Sequence, residues 1–561
     1  MIERTIATSV LVIGTGGAGL RAAIELRRQG TDITAVGKRR KSDACTTLAA
    51  GGINAALGTM DPEDSWQQHA ADTIEESYDL ADPRIVETMA RNAPEGIREL
   101  EEWGMPFARE ADGRISQRFF GAHTYRRTCF AGDYSGLEIQ RTLLRRADAV
   151  GVPVIDKVYM SRFLMADGRV FGAYGFDIVD GSPVVIHADA SILATGGHTR
   201  IWRQTTSRRD ENTGDSFRLA ALAGARIRDA ELVQFHPSGL LEPADAGGLL
   251  ISEAARRQGG ILRNADDERF MSRCDPDPME LSTQDRVALA ISTEINEGRG
   301  TPKGGVLLGL THLDREQVST RLLRTYRDML DLQMLDVTRE PIEIAPTAHY
   351  SMGGVWVRPE GHGTHGANRL GGNSLAELLV YGRIVGQAAA EYSRQLPAQL
   401  RSHNAVAEAR EDIDTLLAGR GYDNVRSMQR AIRNLMSEHA GVIRNDEGLR
   451  AGLAKLDAVE ARMPDLAVHP DIAGFDDLAH ALDLKRSMIA ARATLESALA
   501  RTETRGAHNR SDYPALDPAL KLNLVRSLDA PLAREPVVDT PAEIARLISS
   551  VDDSAIGKLV E

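Results

Sequence analysis

The chain has 561 residues, enough for about three to five structural units at roughly 100–200 residues each. Hydrophobic residues make up 42% and charged residues 26%, a balance that excludes wholesale disorder. The formal net charge of -13 excludes a general nucleic-acid binder, so an anionic substrate must be held by local cations against the global field.

The clearest element comes first. Residues 9–13 read as a short buried strand, and Gly14, Gly16 and Gly19 follow in GxGxxG spacing. Residues 21–28 carry a helical pattern, with Gly30 placed to cap it. Residues 33–36 read as the next strand. The first glycine permits a tight turn, the second lets backbone approach a pyrophosphate, and the third lets helix pack on strand. A lone GxGxxG is weak. Strand before and helix after favour dinucleotide binding over a plain glycine-rich turn. Gly37 and Lys38 stand where an acidic ribose ligand is expected, which tilts away from a simple NAD site.

Residues 188–195 form a second strand running into Gly196 and Gly197. Such a strand–ATGG turn suits either a loop approaching a flavin or a structural turn. From 412 to 499 the sequence turns rich in Ala, Leu, Arg and Glu at helical spacing, which predicts a helical bundle. From 512 onward the tail is proline-punctuated and reads as an arm wrapping other domains or a partner.

Three further expectations come from what is missing. Cys45, Cys129 and Cys274 are far apart, so neither a zinc site nor an iron–sulfur site is encoded. The low cysteine count predicts a reducing compartment. There is no basic region followed by an apolar core at the N-terminus, and no uncharged apolar run of about 18 residues. A cytoplasmic protein is expected, held at a membrane only through something else.

Four stretches place polar residues among glycines, where core packing does not explain them. They are QFHPSG at 234–239, SEAAR at 252–256, HYSMGG at 349–354 and HGANRLGGNS at 365–374. With GTGGAG (14–19), AAGGINAALG (49–58), RRTCFAGDYSG (126–136), ATGG (194–197), NTGD (212–215) and RTETRGAHNRSDYP (501–514), they appear in one order across nearly the whole chain. Together they resemble the flavoprotein subunit of succinate dehydrogenase and fumarate reductase, whose superfamily includes L-aspartate oxidase.

That resemblance implies an α/β fold with a Rossmann-like FAD-binding domain in two segments, 1–236 and 341–404. A mobile α+β capping domain at 237–340 interrupts it. A helical domain at 405–511 and a C-terminal arm at 512–561 follow. Succinate and fumarate would be interconverted by hydride transfer with FAD. Electrons would leave through a separate iron–sulfur subunit, then through a membrane anchor and quinone.

By the same resemblance, His236 and Ser252 hold one substrate carboxylate, and His349 and Arg369 the other. A guanidinium grips a carboxylate through two parallel hydrogen bonds, and imidazole and serine donate to the remaining oxygens. Glu253 and Arg256 match a proton relay. The expected FAD contacts are Gly14, Gly16, Gly17, Ala18, Gly19, Lys38, Cys45, Thr46, Thr47, Gly51, Gly52, Thr195, Gly196, Gly197, Asp215, Ser374 and Leu375. Ser374 and Glu377 read as a capping box on a helix aimed at the flavin.

Three departures stand out. Cys45 occupies the position of the histidine that attaches FAD covalently in many relatives, so noncovalent FAD is expected. Gln284 occupies the position of the proton-transferring arginine and has no titratable proton. Arg286, two residues on, falls on a different helix face and is not an easy replacement, but a small cationic pocket of Arg256, Arg286 and Arg369 with two histidines is expected. Between the HYSMGG strand and His365, residues 357–364 leave no room for a strand that relatives carry, whose glutamate contacts FAD. An L-aspartate oxidase-like enzyme is the nearest alternative, although Ala507 stands where aspartate oxidases tend to have a larger residue. A catalytically impaired flavoprotein is the other.

Overall fold

The computed structural model describes residues 3–357, 365–397, 399–470 and 474–548. β1 (Arg4–Ile13) runs into α1 (Gly17–Arg28) and β2 (Ile33–Gly37). β1 is buried on both faces from Val10 to Ile13, as a central parallel strand must be. β3 (Val154–Asp156), β4 (Val158–Ala166), β5 (Arg169–Asp177) and β6 (Pro183–Leu193) complete one sheet. Its order is β3-β2-β1-β6-β5-β4. β1, β2, β3 and β6 are parallel, and β4 and β5 return antiparallel. Among the described residues, 341–404 supply no strand to this sheet, so β6 pairs only with β1 and β5. The expected deletion itself falls mostly on 358–364, outside the described residues.

α2 (Trp66–Glu76) and α3 (Pro83–Glu102) pack near this layer. A second sheet follows: β7 (Val233–Leu240), β8 (Ile261–Arg263), β9 (Val306–Gly309) and β10 (Ile342–Ser351), in the order β7-β10-β9-β8, all antiparallel. Its core is Leu240, Leu262, Leu308, Ile342 and Ile344, all fully buried. β10, which opens the second predicted FAD segment, is thus hydrogen-bonded into this sheet. α4 (Ala254–Arg257) and α5 (Gln284–Asn296) sit on the sheet's border.

α6 (Asn373–Gln395) returns to the first layer and crosses α1 at close range. A Cβ on Gly382 would lie 2.9 Å from Ala18 O, and one on Gly386 would lie 2.8 Å from Ala22 O. Those two glycines set the helix spacing. α7 (His403–Ala418), α8 (Val425–His439), α9 (Asp446–Glu460) and α10 (Asp476–Ala500) form the expected bundle around one apolar core. The arm then makes a hairpin, β11 (Leu522–Ser527) and β12 (Ala530–Pro536), against Ile227 and Arg228. Ile544 beyond it is buried with Ala70, Ala71 and Ile74 of α2. The 501–505 stretch is a buried ionic joint: Arg501 Nε bonds Glu231 Oε1 at 2.7 Å and Arg505 Nε bonds Glu503 Oε1 at 2.8 Å. It ties the bundle's end to the start of β7.

Candidate active site

Two bulges build the centre. On β10, Gln234 pairs with Tyr350 but Phe235 with Ala348, so His349 is an extra residue squeezed out of register. On β7 the register slips again between His236 and Gly239, around Pro237, which has no N–H for the ladder. The bulges re-aim both histidines, and their rings meet edge-on at 5.3 Å. His236 Nδ1 accepts from Ser238 N (3.2 Å), which leaves Nε2 as its donor. His349 Nδ1 pairs with Thr206 Oγ1 (2.9 Å). Burial, helped by the nearby Arg369 charge, pushes the His349 imidazole down to about 3. Burial, His349 and Arg256 push His236 well below its usual range. Both rings are therefore neutral donors at pH 7.

Arg369 lies buried beside them, with its guanidinium carbon 4.9 Å from the Tyr350 ring centre. Nη2 donates to Gln234 Oε1 (2.7 Å) and Nη1 to Leu370 O (3.5 Å). Its Nε has no partner among the described residues. Arg256 is 2% exposed. Its Nη1 donates to Glu280 O (2.6 Å), while Nε and Nη2 make no hydrogen bond among the described residues and Nη2 has only a long ion pair to Glu253. Buried N–H groups left this way cost free energy, which a carboxylate ligand would offset.

Glu253 sits between these groups. Its Oε1 takes two bonds from Arg257 (2.9 and 2.6 Å), and its Oε2 takes one from Gln284 Nε2 (2.9 Å). Arg256 Nη2 is 4.0 Å from the same Oε2. Burial alone would raise this carboxyl. The Arg257 and Arg256 charges and these hydrogen bonds outweigh it and hold it at about 2. Ser252 Oγ accepts from Ala254 N (3.2 Å) at the start of α4.

So the structure gathers His236, His349, Arg369, Arg256, Glu253 and Gln284, with Ser252 adjacent. Arg286 is not among them: it turns to Asp275 (3.6 Å) and is a quarter exposed. The two-residue offset puts it on another face of α5, so a cationic pocket built partly from Arg286 is corrected to one built from Arg256 and Arg369.

The glycine cradle fits a pyrophosphate. A Cβ on Gly14 would lie 2.1 Å from Ala194 O, and one on Gly19 would lie 1.9 Å from Gly14 O, so turn, helix and the 194–197 loop pack without space. Gly16 is less crowded: a Cβ there would meet Thr46 Oγ1 at 3.4 Å, an ordinary contact. α1 has no acidic residue in its first turn and no side chain on its cap residue Gly16. Gly17 N donates to Thr46 Oγ1 (3.1 Å), which leaves the following first-turn N–H groups for an anion. Ala18 follows in the same first turn. Thr195 Oγ1 is buried without a partner among the described residues. Gly197 N donates to Asn212 Oδ1 (2.9 Å), and Thr47 Oγ1 accepts from Arg208 Nη2 (2.8 Å). Gly196 (φ +75°) and Gly52 (φ +148°) hold backbone conformations that side chains disfavour.

Cys45 sits in this cradle. Its N donates to Glu211 Oε1 (2.9 Å) and its Sγ accepts from Asn212 Nδ2 (3.6 Å). Burial and the Glu211 charge push its thiol up to about 12. Lys38 and Asp215 bond each other (3.0 Å), and Asp215 also takes Arg486 from the bundle. Both carboxylate oxygens of Asp215 are thereby engaged by the protein.

One helix start is corrected. α6 is capped by Gly372 at φ +88°, not by Ser374. A Cβ on Gly372 would lie 2.2 Å from Asn54 Oδ1, so only glycine fits that turn. Asn373, the first helical residue, is buried against Asn54, His69 and Thr73. Glu377 does not reach back to close a box. It accepts from Tyr350 Oη (2.9 Å) and pairs with His365 Nε2. Leu375 is in the core beneath.

Sequence reading missed Phe120. A Cβ on Gly51 would lie 3.0 Å from Phe120 Cζ and one on Gly371 would lie 2.8 Å from Phe120 Cδ1, so the ring is wedged between two site loops. Arg257 stacks over it at 5.0 Å. An aromatic pair before Gly121 was the only signal. Thr206 carried none. Gln234 lay in one of the four polar stretches but had no assigned part.

Comparison with known proteins agrees with this geometry. The FAD binding domain model matches residues 9–363, and the fumarate reductase flavoprotein C-terminal model matches 429–544. The chain is 38% identical over 532 residues to a subunit of the fumarate reductase (CoM/CoB) of Methanothermobacter marburgensis, covering 92% of this chain and 96% of that one. It is 36% identical over 542 residues to the succinate dehydrogenase flavoprotein subunit of Rickettsia bellii, covering 90% of each. Its fold matches the FrdA chain of E. coli quinol fumarate reductase with a TM-score of 0.91 at 29% identity, over 96% of this chain and 99% of that one. The chain belongs to the family of FAD-dependent flavoprotein subunits of succinate dehydrogenase and fumarate reductase.

Proposed function

We propose that this chain binds a C4 dicarboxylate between Arg369 and the His236–Ser252 end and interconverts succinate and fumarate. The observation that carries this reading is the pair of buried arginines, Arg369 and Arg256, near two neutral histidines and each with a guanidinium N–H that makes no hydrogen bond among the described residues. FAD, when bound, supplies the hydride acceptor or donor. Arg369 and His349 grip one carboxylate, and His236 and Ser252 donate to the other. Phe120 excludes water beside Gly51 and Gly371. Glu253 stays ionised and orients Gln284 and Arg257.

FAD is held noncovalently in this proposal, because a protonated, hydrogen-bonded Cys45 is a weak nucleophile. Electrons pass to a separate iron–sulfur subunit, which would hold the chain at a membrane surface. The naming of its relatives as flavoprotein subunits supports this. No helix among the described residues is long and apolar enough to cross a membrane.

The test is anaerobic and direct. Reduced holoprotein should be reoxidised by fumarate, and oxidised holoprotein bleached by succinate. Absence of both would refute the reading. Gln284 favours a second reading, a flavoprotein slowed at proton transfer, in which both changes occur but are about 10²–10⁴-fold slow.

A further inference from the structure

Gln284 makes an unusual end to this pocket. Glu253 is ionised and can only accept, so the Gln284 amide must present Nε2 to it, as the 2.9 Å bond shows. That fixes Oε1 on the other side, buried and without a partner among the described residues. Arg256 Nη2 borders the same Glu253 oxygen at 4.0 Å, and neither Nε nor Nη2 makes a hydrogen bond among the described residues. Gln284 Oε1 and the Arg256 guanidinium thus both stand near Glu253, each with a buried polar atom that makes no hydrogen bond among the described residues. A plain succinate or fumarate carboxylate would answer Arg256 but would leave Gln284 Oε1 unmet, since a carboxylate cannot donate.

We propose that the site selects a C4 dicarboxylate carrying a hydroxyl next to one carboxylate, with His236 and Ser252 donating to that carboxylate, the Arg256 charge beside them, and Gln284 Oε1 accepting from the hydroxyl. Charge favours a hydroxyl over an ammonium group. Glu253 is shared by Arg257 and Arg256, so these three groups together with Arg369 stay net positive. Arg369 and His349 hold the far carboxylate, so the proposal rests on the dicarboxylate reading above. Ser238 Oγ, wholly buried and unpartnered among the described residues, adds one more polar atom near His236 without a protein partner.

The test is a pair of anaerobic titrations of reduced, FAD-loaded protein, which cannot take a hydride from either ligand, following heat or the flavin absorbance change with malate and with succinate. An unmade bond at a buried acceptor separates matched ligands by about 10–100-fold. Malate should bind tighter than succinate by that factor. In Gln284→Met, which keeps chain length but loses the acceptor, the ratio should fall to within about twofold. A wild-type protein that binds succinate as tightly as malate would overturn the inference and leave the dicarboxylate site standing. A ratio that survives in Gln284→Met would also overturn it. Binding of neither ligand would remove the dicarboxylate reading and this inference together.

Discussion

Replacing Arg369 by Met removes the clamp's charge while keeping most of its volume. Arg369 has Nη2 on Gln234 Oε1 (2.7 Å), Nη1 on Leu370 O at a marginal 3.5 Å, and Nε with no partner among the described residues. A carboxylate can therefore take two parallel bonds, through Nε and one Nη. Each charge-assisted bond contributes about 1.5–3 kcal/mol. Losing both should cost about 3–6 kcal/mol, or roughly 10²–10⁴-fold in Kd. Stability should change less. Gln234 Oε1 loses its donor at about 1–3 kcal/mol, but the desolvation cost of a buried guanidinium disappears with it. Gln234 Nε2 keeps its bond to Asn368 Oδ1 (2.7 Å), so the loop retains an anchor. The assay is succinate titration of FAD-loaded protein by flavin absorbance, with thermal melting in parallel. Arg369→Lys should recover part of the affinity, because it restores charge without the fork. A Kd for the Met variant within threefold of wild type, with Tm unchanged, would refute the clamp.

Other predictions follow from the same contacts. Gln284→Arg should raise turnover by at least tenfold by placing a titratable group on Glu253; steady-state kinetics with fumarate and a reduced dye checks this, and an unchanged rate would mean that another group moves the proton. Acid precipitation should release all the flavin and leave a colourless pellet, because the Cys45 thiol, pushed up to about 12, carries almost no thiolate at neutral pH. Stability should fall as pH drops below about 6.5. Burial pushes His69 and His349 down to about 3 and His198 to about 4, so between those values and about 6.5 the unfolded chain binds protons that the folded chain does not. Each histidine contributes a slope of up to about 1.4 kcal/mol per pH unit. Nothing is lost above that range. Urea midpoints measured between pH 7 and 5 test it, and a flat profile would mean that these rings are charged in the fold.

Local chemistry made much of this protein legible in its sequence. Gly14, Gly16 and Gly19 could be assigned parts because a turn, a close approach and a helix contact each demand a missing side chain, and the Cβ distances bear out two of the three as packing constraints. The bundle was readable because α8 repeats its apolar face at helical period, burying Met428, Ile432, Leu435 and Met436. The polar stretches named His236, His349, Arg369, Glu253 and Arg256 because nothing in core packing required them. Other features depended on contacts between distant segments. His349 reaches His236 only because one residue of β10 is squeezed out of a ladder whose partner strand lies over 100 residues away. Ser374 looks like a cap in isolation, yet Asn54 from the first layer leaves room only for Gly372 at that turn. Asp215 looks free to meet a cofactor until α10 brings Arg486 onto it. Gln284 alone says only that a proton donor is missing. Its bond to an ionised Glu253 decides which way its amide faces, and so which ligand it can accept. Spacing along a chain reports what each residue can do. Register, burial and the charge of a neighbour decide what it does, because they are set by segments far apart in sequence.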